Sequence, residues 1–155
     1  MPTAHVSAAL IAAADLDWQR SHTLLNRALQ LDPNLAAGHR GLGLLASLEG
    51  NFAASRKHFE KALAIDPLSA WTSLGAARNE YADHKFERAL SMMNELIDRE
   101  PGFALGYYYR ALTLAYLGRH KDALADLKRS EFGTGMIATD QAWIEARAGN
   151  PKPAQ

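Results

Sequence analysis

The stretch HRGLGLLASLEGNFAASRKHFEKALAIDP, residues 39–67, contains two helix-forming segments on either side of the turn sequence Glu49-Gly50-Asn51. We predict helices over about 36–49 and 52–65, because a glycine at the turn adopts a left-handed backbone at little cost. Asp66-Pro67 ends the second helix, since proline cannot continue a helix and restrains the residue before it. The stretch therefore predicts two antiparallel helices.

This helix pair recurs along the chain, because Pro33, Pro67 and Pro101 lie at intervals of thirty-four residues. Small residues, which let two helices approach closely, recur in register at Ala9, Gly43, Ala77 and Ala111, and again at Ser21, Ser55, Ala89 and Ala123. Large apolar residues that fill such contacts recur at Trp18, Phe52 and Phe86, and at Leu25, Phe59, Met93 and Leu127. No segment alternates with period two, so we expect no sheet.

The pattern resembles the tetratricopeptide repeat, and the second repeat carries the resemblance best, at His39, Leu42, Gly43, Gly50, Phe52, Phe59, Ala62 and Pro67. The resemblance implies an all-α, right-handed solenoid of helix-turn-helix repeats. It gives four repeats, at about 2–35, 36–69, 70–103 and 104–134, and a partial fifth repeat or capping helix at 135–150. We expect residues 1–155 to form a single domain of such repeats.

Both ends suggest a domain excised from a longer protein. The first repeat begins at residue 2 and the chain stops inside the fifth, whereas solenoids usually need specialised terminal repeats. Similar arrays form the sensor or partner-binding halves of some bacterial winged-helix transcription regulators, and FEKALAIDPLS, residues 59–69, resembles their repeats. Such an origin would place the chain in the bacterial cytoplasm or periplasm.

Composition argues against nucleic acid and membrane as partners. The 155 residues include seventeen Lys plus Arg and seventeen Asp plus Glu, so no net charge attracts phosphate backbones or anionic lipid. The apolar run SAALIAAA, residues 7–14, lacks the basic region of a signal peptide, and it is shorter than the roughly 18 to 20 residues of a spanning helix. We expect a soluble chain.

Enzymatic and metal-binding signatures are missing from the sequence. The chain has no cysteine, and its six histidines never fall three or four residues apart on one helix. The glycine pairs at 41–43 and 133–135 lack the preceding strand and the Lys-Ser/Thr of a phosphate loop, and no serine has a nucleophile-elbow context. We expect no catalytic residue, no metal, no cofactor and no enzymatic activity.

The resemblance implies that a protein partner binds in the concave groove that the first helices of the repeats line. The predicted groove residues are Arg40, Leu44, Trp71, Leu74, Arg78, Tyr81, Tyr108, Tyr109, Leu112 and Tyr116. Aromatic residues with arginine are the usual composition of a protein-binding hot spot. We expect a non-enzymatic interaction module that accepts an extended or helical peptide with apolar anchors and an acidic side chain.

Three consecutive tyrosines fall on one of these first helices. Successive residues of a helix point about 100° apart, so we expect Tyr107 to face the core while Tyr108 and Tyr109 turn to the groove. Two charges also break the repeat pattern, Glu80 and Arg110. They lie in the first helices of adjacent repeats, and we predict that they pair with each other.

Self-association is the alternative function. The last helix, with Ile137, Ala142, Trp143 and Ala146, could join two copies or stack on further repeats. We predict that this helix covers the fourth repeat through residues at helical spacing, namely Ile137, Ile144 and Ala148. Trp143 falls on another side of the helix, so we expect it to be partly exposed or held between chains.

Overall fold

The computed structural model describes residues 1–130 and 134–149, and in the second segment the side chains from 139 onward. The described residues form nine α-helices and contain no strand, which confirms the predicted all-α repeat solenoid. The helices are α1 Pro2–Ala14, α2 Trp18–Leu31, α3 Ala36–Leu48, α4 Phe52–Ile65, α5 Ala70–Ala82, α6 Phe86–Arg99, α7 Ala104–Tyr116, α8 His120–Arg129 and α9 Thr134–Gly149.

The helices divide into two compact units, unit 1 at Met1–Asp83 and unit 2 at His84–Gln155. In unit 1 each helix packs against the next one along the chain, and α3 also packs against both α1 and α5. In unit 2, α6 packs on α7, α7 on α8 and α8 on α9. We call α1, α3, α5 and α7 the first helices of the repeats, and α2, α4, α6 and α8 the second helices.

The predicted small and large residues meet in the helix contacts. Phe59 is buried, and a β-carbon placed on Gly75 would lie 2.6 Å from its Cε1, while one on Gly43 would lie 3.2 Å from the same ring. Two serines bond across the same contact in successive repeats. Ser21 Oγ donates to the Ala9 carbonyl at 3.0 Å, and the equivalent Ser55 Oγ donates to the Gly43 carbonyl at 2.8 Å. Small residues therefore set how closely the helices approach.

The turn between the two helices of each repeat uses one left-handed residue. Gly50 and Gly118 have φ of 76° and 77°, as their position in the sequence predicts. Leu16 and His84 hold the same repeat position and are also left-handed, with φ of 59° and 56°. A leucine in this conformation is uncommon and strained, so the geometry of the repeat overrides the preference of the residue.

Replacing Leu16 by glycine should stabilise the protein. The left-handed conformation costs an L-residue about 1–2 kcal/mol, and the greater backbone freedom of an unfolded glycine offsets about 0.5–1 kcal/mol of the gain. The Leu16 side chain is 69% exposed, so little packing is lost. We expect urea unfolding to show a gain of about 0.5–1 kcal/mol for Leu16→Gly and a loss of similar size for Gly50→Ala. A less stable Leu16→Gly would contradict a strained turn.

Two buried ion pairs replace the predicted pair of Glu80 with Arg110, which is wrong. Glu80 is 1% exposed and accepts from Arg56 Nε at 2.6 Å, and a second nitrogen of Arg56 bonds Asp83 at 2.6 Å. Arg110 forms a two-point bond to Asp126, at 2.6 and 2.8 Å. In each case the partner belongs to a second helix that packs against the first helix, α4 for Glu80 and α8 for Arg110.

Removing Arg56 should strongly destabilise unit 1. Its hydrogen bond to Glu80 raises the pKa of the Arg56 guanidinium, while burial opposes this. Arg56→Met leaves the Glu80 carboxylate buried without this cation, at an expected cost of about 3–5 kcal/mol, whereas Arg56→Met with Glu80→Met should recover most of the loss. Chemical denaturation checks both.

The exposed pair of Arg119 and Asp122 supplies the control, because Arg119→Met should cost less than about 1 kcal/mol. Additive effects of Arg56→Met and Glu80→Met in a double-mutant cycle would show that the two side chains are not coupled.

Candidate functional site

The ten predicted groove residues differ in exposure. Trp71, Arg78 and Tyr116 are exposed, with Trp71 at 57% and Tyr116 at 44%. Leu74 and Tyr108 are buried, and the half-buried ones are Arg40, Leu44, Tyr81, Tyr109 and Leu112. Six of these residues lie in unit 1 and four in unit 2, and the surroundings differ between the two units.

Unit 1 contains a cavity of about 200 Å³ at its first helices. Leu10, Leu44 and Arg78, which stand thirty-four residues apart in α1, α3 and α5, all line it. Leu48 also lines the cavity, and its side chain is 67% exposed. The structure therefore brings the predicted residues Leu44 and Arg78 to one largely apolar cavity.

The first helices of unit 1 carry an excess of positive charge. Arg40 and Arg78 are their arginines, and the single acidic residue in α1, α3 and α5 is Glu80. Glu80 is buried and bonded to Arg56 of α4, so its charge is offset within the unit. Carboxylates directly follow all three helices, at the exposed Asp15 and Glu49 and the half-buried Asp83.

The sequence predicted that Tyr108 faces the groove, but this residue of unit 2 is buried. The residue is 7% exposed, and its hydroxyl donates to Asp140 Oδ2 of α9 at 2.7 Å. Burial and this hydrogen bond raise the pKa of Tyr108 to about 12. Tyr107 is buried as expected, and Tyr109 packs edge-on against the Tyr108 ring. The prediction for Tyr108 is wrong because α9 covers this residue.

Helix α9 also packs on the aromatic residue Tyr116. The Tyr116 ring stacks on Phe86 at a centroid distance of 4.8 Å, and Trp143 of α9 lies at 5.3 Å from it. Trp143 is half-buried and Ile144 fully buried, which agrees with the expectations for both. Ala148 is exposed, so its predicted part in covering the fourth repeat is wrong. The Ile137 side chain lies outside the described residues.

Two histidines that the sequence separates by nineteen residues meet inside unit 1. His39 Nδ1 lies 3.4 Å from His58 Nδ1, and His39 Nε2 lies 3.1 Å from the Pro33 carbonyl. A carbonyl only accepts, so neutral His39 carries its hydrogen on Nε2, and His58 donates from its Nδ1 to His39. Burial and then the nearby His39 lower the pKa of His58.

This histidine pair should make unit 1 sensitive to acid. Because the folded pKa of His58 lies below its usual 6.5, the unfolded chain binds the proton first. The stability that neutral His58 contributes is therefore fully present above about pH 6.5. It is lost as the pH falls from there through the lowered pKa of His58 in the folded protein. Lys61 and His22 also contribute to the lowered pKa of His58.

We expect the stability of the wild type to fall more steeply between pH 7.5 and 5 than that of His58→Gln, in urea unfolding at each pH. His120→Gln is the matched control, since His120 lies in unit 2, and it should keep the wild-type slope. Parallel curves for the wild type and His58→Gln would contradict the assignment.

Metal sites with three or more protein ligands and membrane-spanning helices are missing from the part of the chain that the structure describes. It holds no group of three or more His, Cys, Asp or Glu residues arranged to bind a metal ion. None of its helices combines the length and the apolar character needed to cross a bilayer.

Comparison with known proteins identifies the family. Family models described as tetratricopeptide repeat match residues 36–69 and 74–135, which together make up more than half of the chain. The chain belongs to the tetratricopeptide repeat family. Repeats of this family are generally protein-protein interaction modules, and their fold is typically a non-enzymatic scaffold.

Solved structures share the fold at low sequence identity. A thermophilic tetratricopeptide repeat protein of Thermus thermophilus is 19% identical with a TM-score of 0.86, over 96% of this chain and 84% of that one. PilF of Pseudomonas aeruginosa is 18% identical with a TM-score of 0.84, over 94% and 68%. The O-GlcNAc transferase of Thermobaculum terrenum is 24% identical with a TM-score of 0.74, over 83% of this chain and 26% of that one. A search of the curated proteins found no match.

Proposed function

We propose that this chain is a protein-interaction module that binds a segment of a partner protein on the first helices of unit 1. The observation that carries the proposal is the exposure of large apolar side chains there. Leu10, Ile11, Leu48 and Trp71 are 49%, 65%, 67% and 57% exposed. Leu10 and Leu48 line the same cavity, and exposed apolar side chains that lie together are typical of an interaction surface.

The second helices of unit 1 differ from this surface. Among their described residues, the large hydrophobic side chains that are exposed are Leu31 and Ile65, each the last residue of its helix. Lys57, Glu60 and Lys61 are exposed along α4, so water solvates that side. The contrast favours the first helices as the place where a partner buries apolar surface.

The predicted residues contribute to the proposed surface in different ways. Trp71 supplies a large exposed aromatic anchor. Arg40 and Arg78 supply positive charge and directional hydrogen-bond donors. Leu74 is buried and supports the helix contact instead. In unit 2, the partly or fully exposed residues Tyr109, Leu112 and Tyr116 form a proposed contact surface of that unit alone.

Binding and folding should be separable at Trp71 and Arg78. Both side chains are exposed, so replacing both with alanine should leave helicity and melting nearly unchanged. Binding of the natural partner should weaken roughly tenfold to a hundredfold, equivalent to about 1.4–2.7 kcal/mol. Tyr108 is unsuitable for this purpose, because its removal opens the core of unit 2 and leaves Asp140 without its hydroxyl partner.

The matched control is Arg27→Ala with Leu31→Ala, which removes an arginine and an exposed apolar residue from the second helix α2. The immobilised full chain captures the partner from an extract of the organism that encodes it, and calorimetry with the purified partner gives the affinities. Loss of binding in the control, with full binding by the Trp71 and Arg78 variant, would overturn the proposed surface.

Self-association through α9 remains the second proposal for this chain. The described large apolar side chains of α9, Trp143 and Ile144, pack on the rest of unit 2, and the exposed side chains of α9 include the small Ala142 and Ala146. We therefore favour a hetero-partner. Sedimentation of the isolated chain at increasing concentration discriminates the two, because a monomer at all concentrations rules out self-association.

A further inference from the structure

We infer that His39 and His58 form a two-histidine binding site for a borderline divalent metal ion such as Zn²⁺. The two residues belong to α3 and α4 of unit 1, and the inference does not depend on the proposed partner surface. Spacing along a single helix could not predict this pair, because its members lie on different helices. The argument uses the positions of the ring nitrogens, their hydrogen bonds and the charges around them.

The separation of two ring nitrogens suits a shared metal ion. His39 Nδ1 and His58 Nδ1 lie 3.4 Å apart, and the ring centroids are 5.7 Å apart, so these nitrogens are the facing corners of the two rings. Zinc binds histidine nitrogens at about 2.0–2.1 Å in tetrahedral geometry, which places two such nitrogens about 3.3–3.4 Å from each other. An ion beside the line that joins the two nitrogens would reach both after a rotation of the His58 ring.

The Pro33 carbonyl prepares His39 as a ligand. His39 Nε2 lies 3.1 Å from this carbonyl, which holds the hydrogen of neutral His39 on Nε2 and leaves the lone pair on Nδ1. Metal-binding histidines generally donate their other ring N–H to a carbonyl or a carboxylate, which fixes the tautomer and the orientation of the ring. The His39 ring is therefore set for coordination through Nδ1.

His58 is the adjustable member of the pair. Its side chain is half-buried, whereas His39 is 8% exposed, so His58 has more freedom to turn. Without metal, His58 Nδ1 donates its hydrogen to His39 Nδ1. A metal ion takes the lone pairs of both Nδ1 atoms, so His58 must then carry its hydrogen on Nε2 instead. Metal binding thus exchanges one tautomer of neutral His58 for the other.

Two basic side chains act on His58 through their charge and oppose a cation, namely Lys61 and His22. Lys61 is exposed, so water and salt screen its charge. His22 Nε2 lies 2.8 Å from a carboxylate oxygen of Glu49, which offsets positive charge on that ring. The opposition is therefore modest, and it lowers the affinity of the site without closing it.

The number of protein ligands defines the kind of site. The described residues offer no group of three or more His, Cys, Asp or Glu for a metal ion, so the other coordination positions at this pair are open to water. Imidazole nitrogens suit Zn²⁺, Ni²⁺ and Cu²⁺, whereas Mg²⁺ and Ca²⁺ take oxygen ligands. We therefore expect an exchangeable ion that binds more weakly than zinc in a closed site of four protein ligands.

Calorimetric titration of the full chain with zinc chloride at pH 7.5 tests the site, because ligating imidazoles must be neutral. His39→Gln and His58→Gln should each bind Zn²⁺ at least about tenfold more weakly than the wild type, since even the loss of a supporting group costs about 10–100-fold. The matched controls are His22→Gln in unit 1 and His120→Gln in unit 2, and both should bind as the wild type does. Magnesium chloride should give no binding heat.

NMR spectra of the wild type with isotope-labelled histidine report the ligating nitrogens directly. We expect Zn²⁺ to shift Nδ1 of both His39 and His58 and to leave a hydrogen on Nε2 of both rings. A hydrogen-bonded pair without a metal site would keep the His58 hydrogen on Nδ1 at every zinc concentration. This measurement decides the inference even if a glutamine variant fails to fold, which melting curves establish.

Other results would overturn the inference. A wild type that gives no saturable zinc binding excludes the site. Unchanged affinity in both His39→Gln and His58→Gln, with a loss in His22→Gln or His120→Gln, would show an adventitious ion only. Zinc shifts at only one of the two rings would equally exclude a shared ion. None of these results bears on partner binding at Trp71 and Arg78, so the two proposals fail or stand separately.

Discussion

The close contact between a small residue on a first helix and a large residue on a neighbouring second helix is the constraint on which the rest of the molecule depends. Phe59 shows it best, because its ring lies against the glycine positions 43 and 75 of the two adjacent first helices. A β-carbon at either glycine would meet the ring, so these helices approach as closely as their backbones allow. The contact sets the approach of α3 and α5, which carry the cavity-lining residues Leu44 and Arg78.

The stability of the repeats depends on this contact between helices. Side chains on the other faces of the first helices can therefore differ from repeat to repeat without disrupting the fold. Trp71 is exposed although Thr72, the next residue, and Leu74 are both buried. In unit 1 such exposed positions hold large apolar residues and arginine. In unit 2 the corresponding helix α7 is covered in part by α9, through Asp140 and Trp143. The same repeat thus presents two different surfaces.

Periodicity predicts the repeated helix pairs, since the thirty-four-residue spacing of proline, glycine and alanine indicates where helices begin, end and touch, and the family resemblance adds that the pairs stack into a solenoid. It predicted α4 at 52–65 and the left-handed Gly50. It could not predict Leu16 in the same conformation, because the preference of leucine opposes it. It also failed for the charged and polar pairs. Glu80 with Arg56, Tyr108 with Asp140 and His39 with His58 join residues at irregular separations, and each depends on the three-dimensional course of neighbouring helices.

The central claim is that a partner segment binds on the first helices of unit 1 while the second helices only support them. Amide and methyl chemical shifts of the labelled full chain, followed during titration with a bound peptide, test it most directly. We expect the shifts to concentrate in α1, α3 and α5, with the methyl groups of Leu10, Leu44 and Leu48 changing most. Shifts concentrated on the solvated side of α2 and α4, around Arg27 and Lys57, with these three leucines unchanged, would contradict the claim.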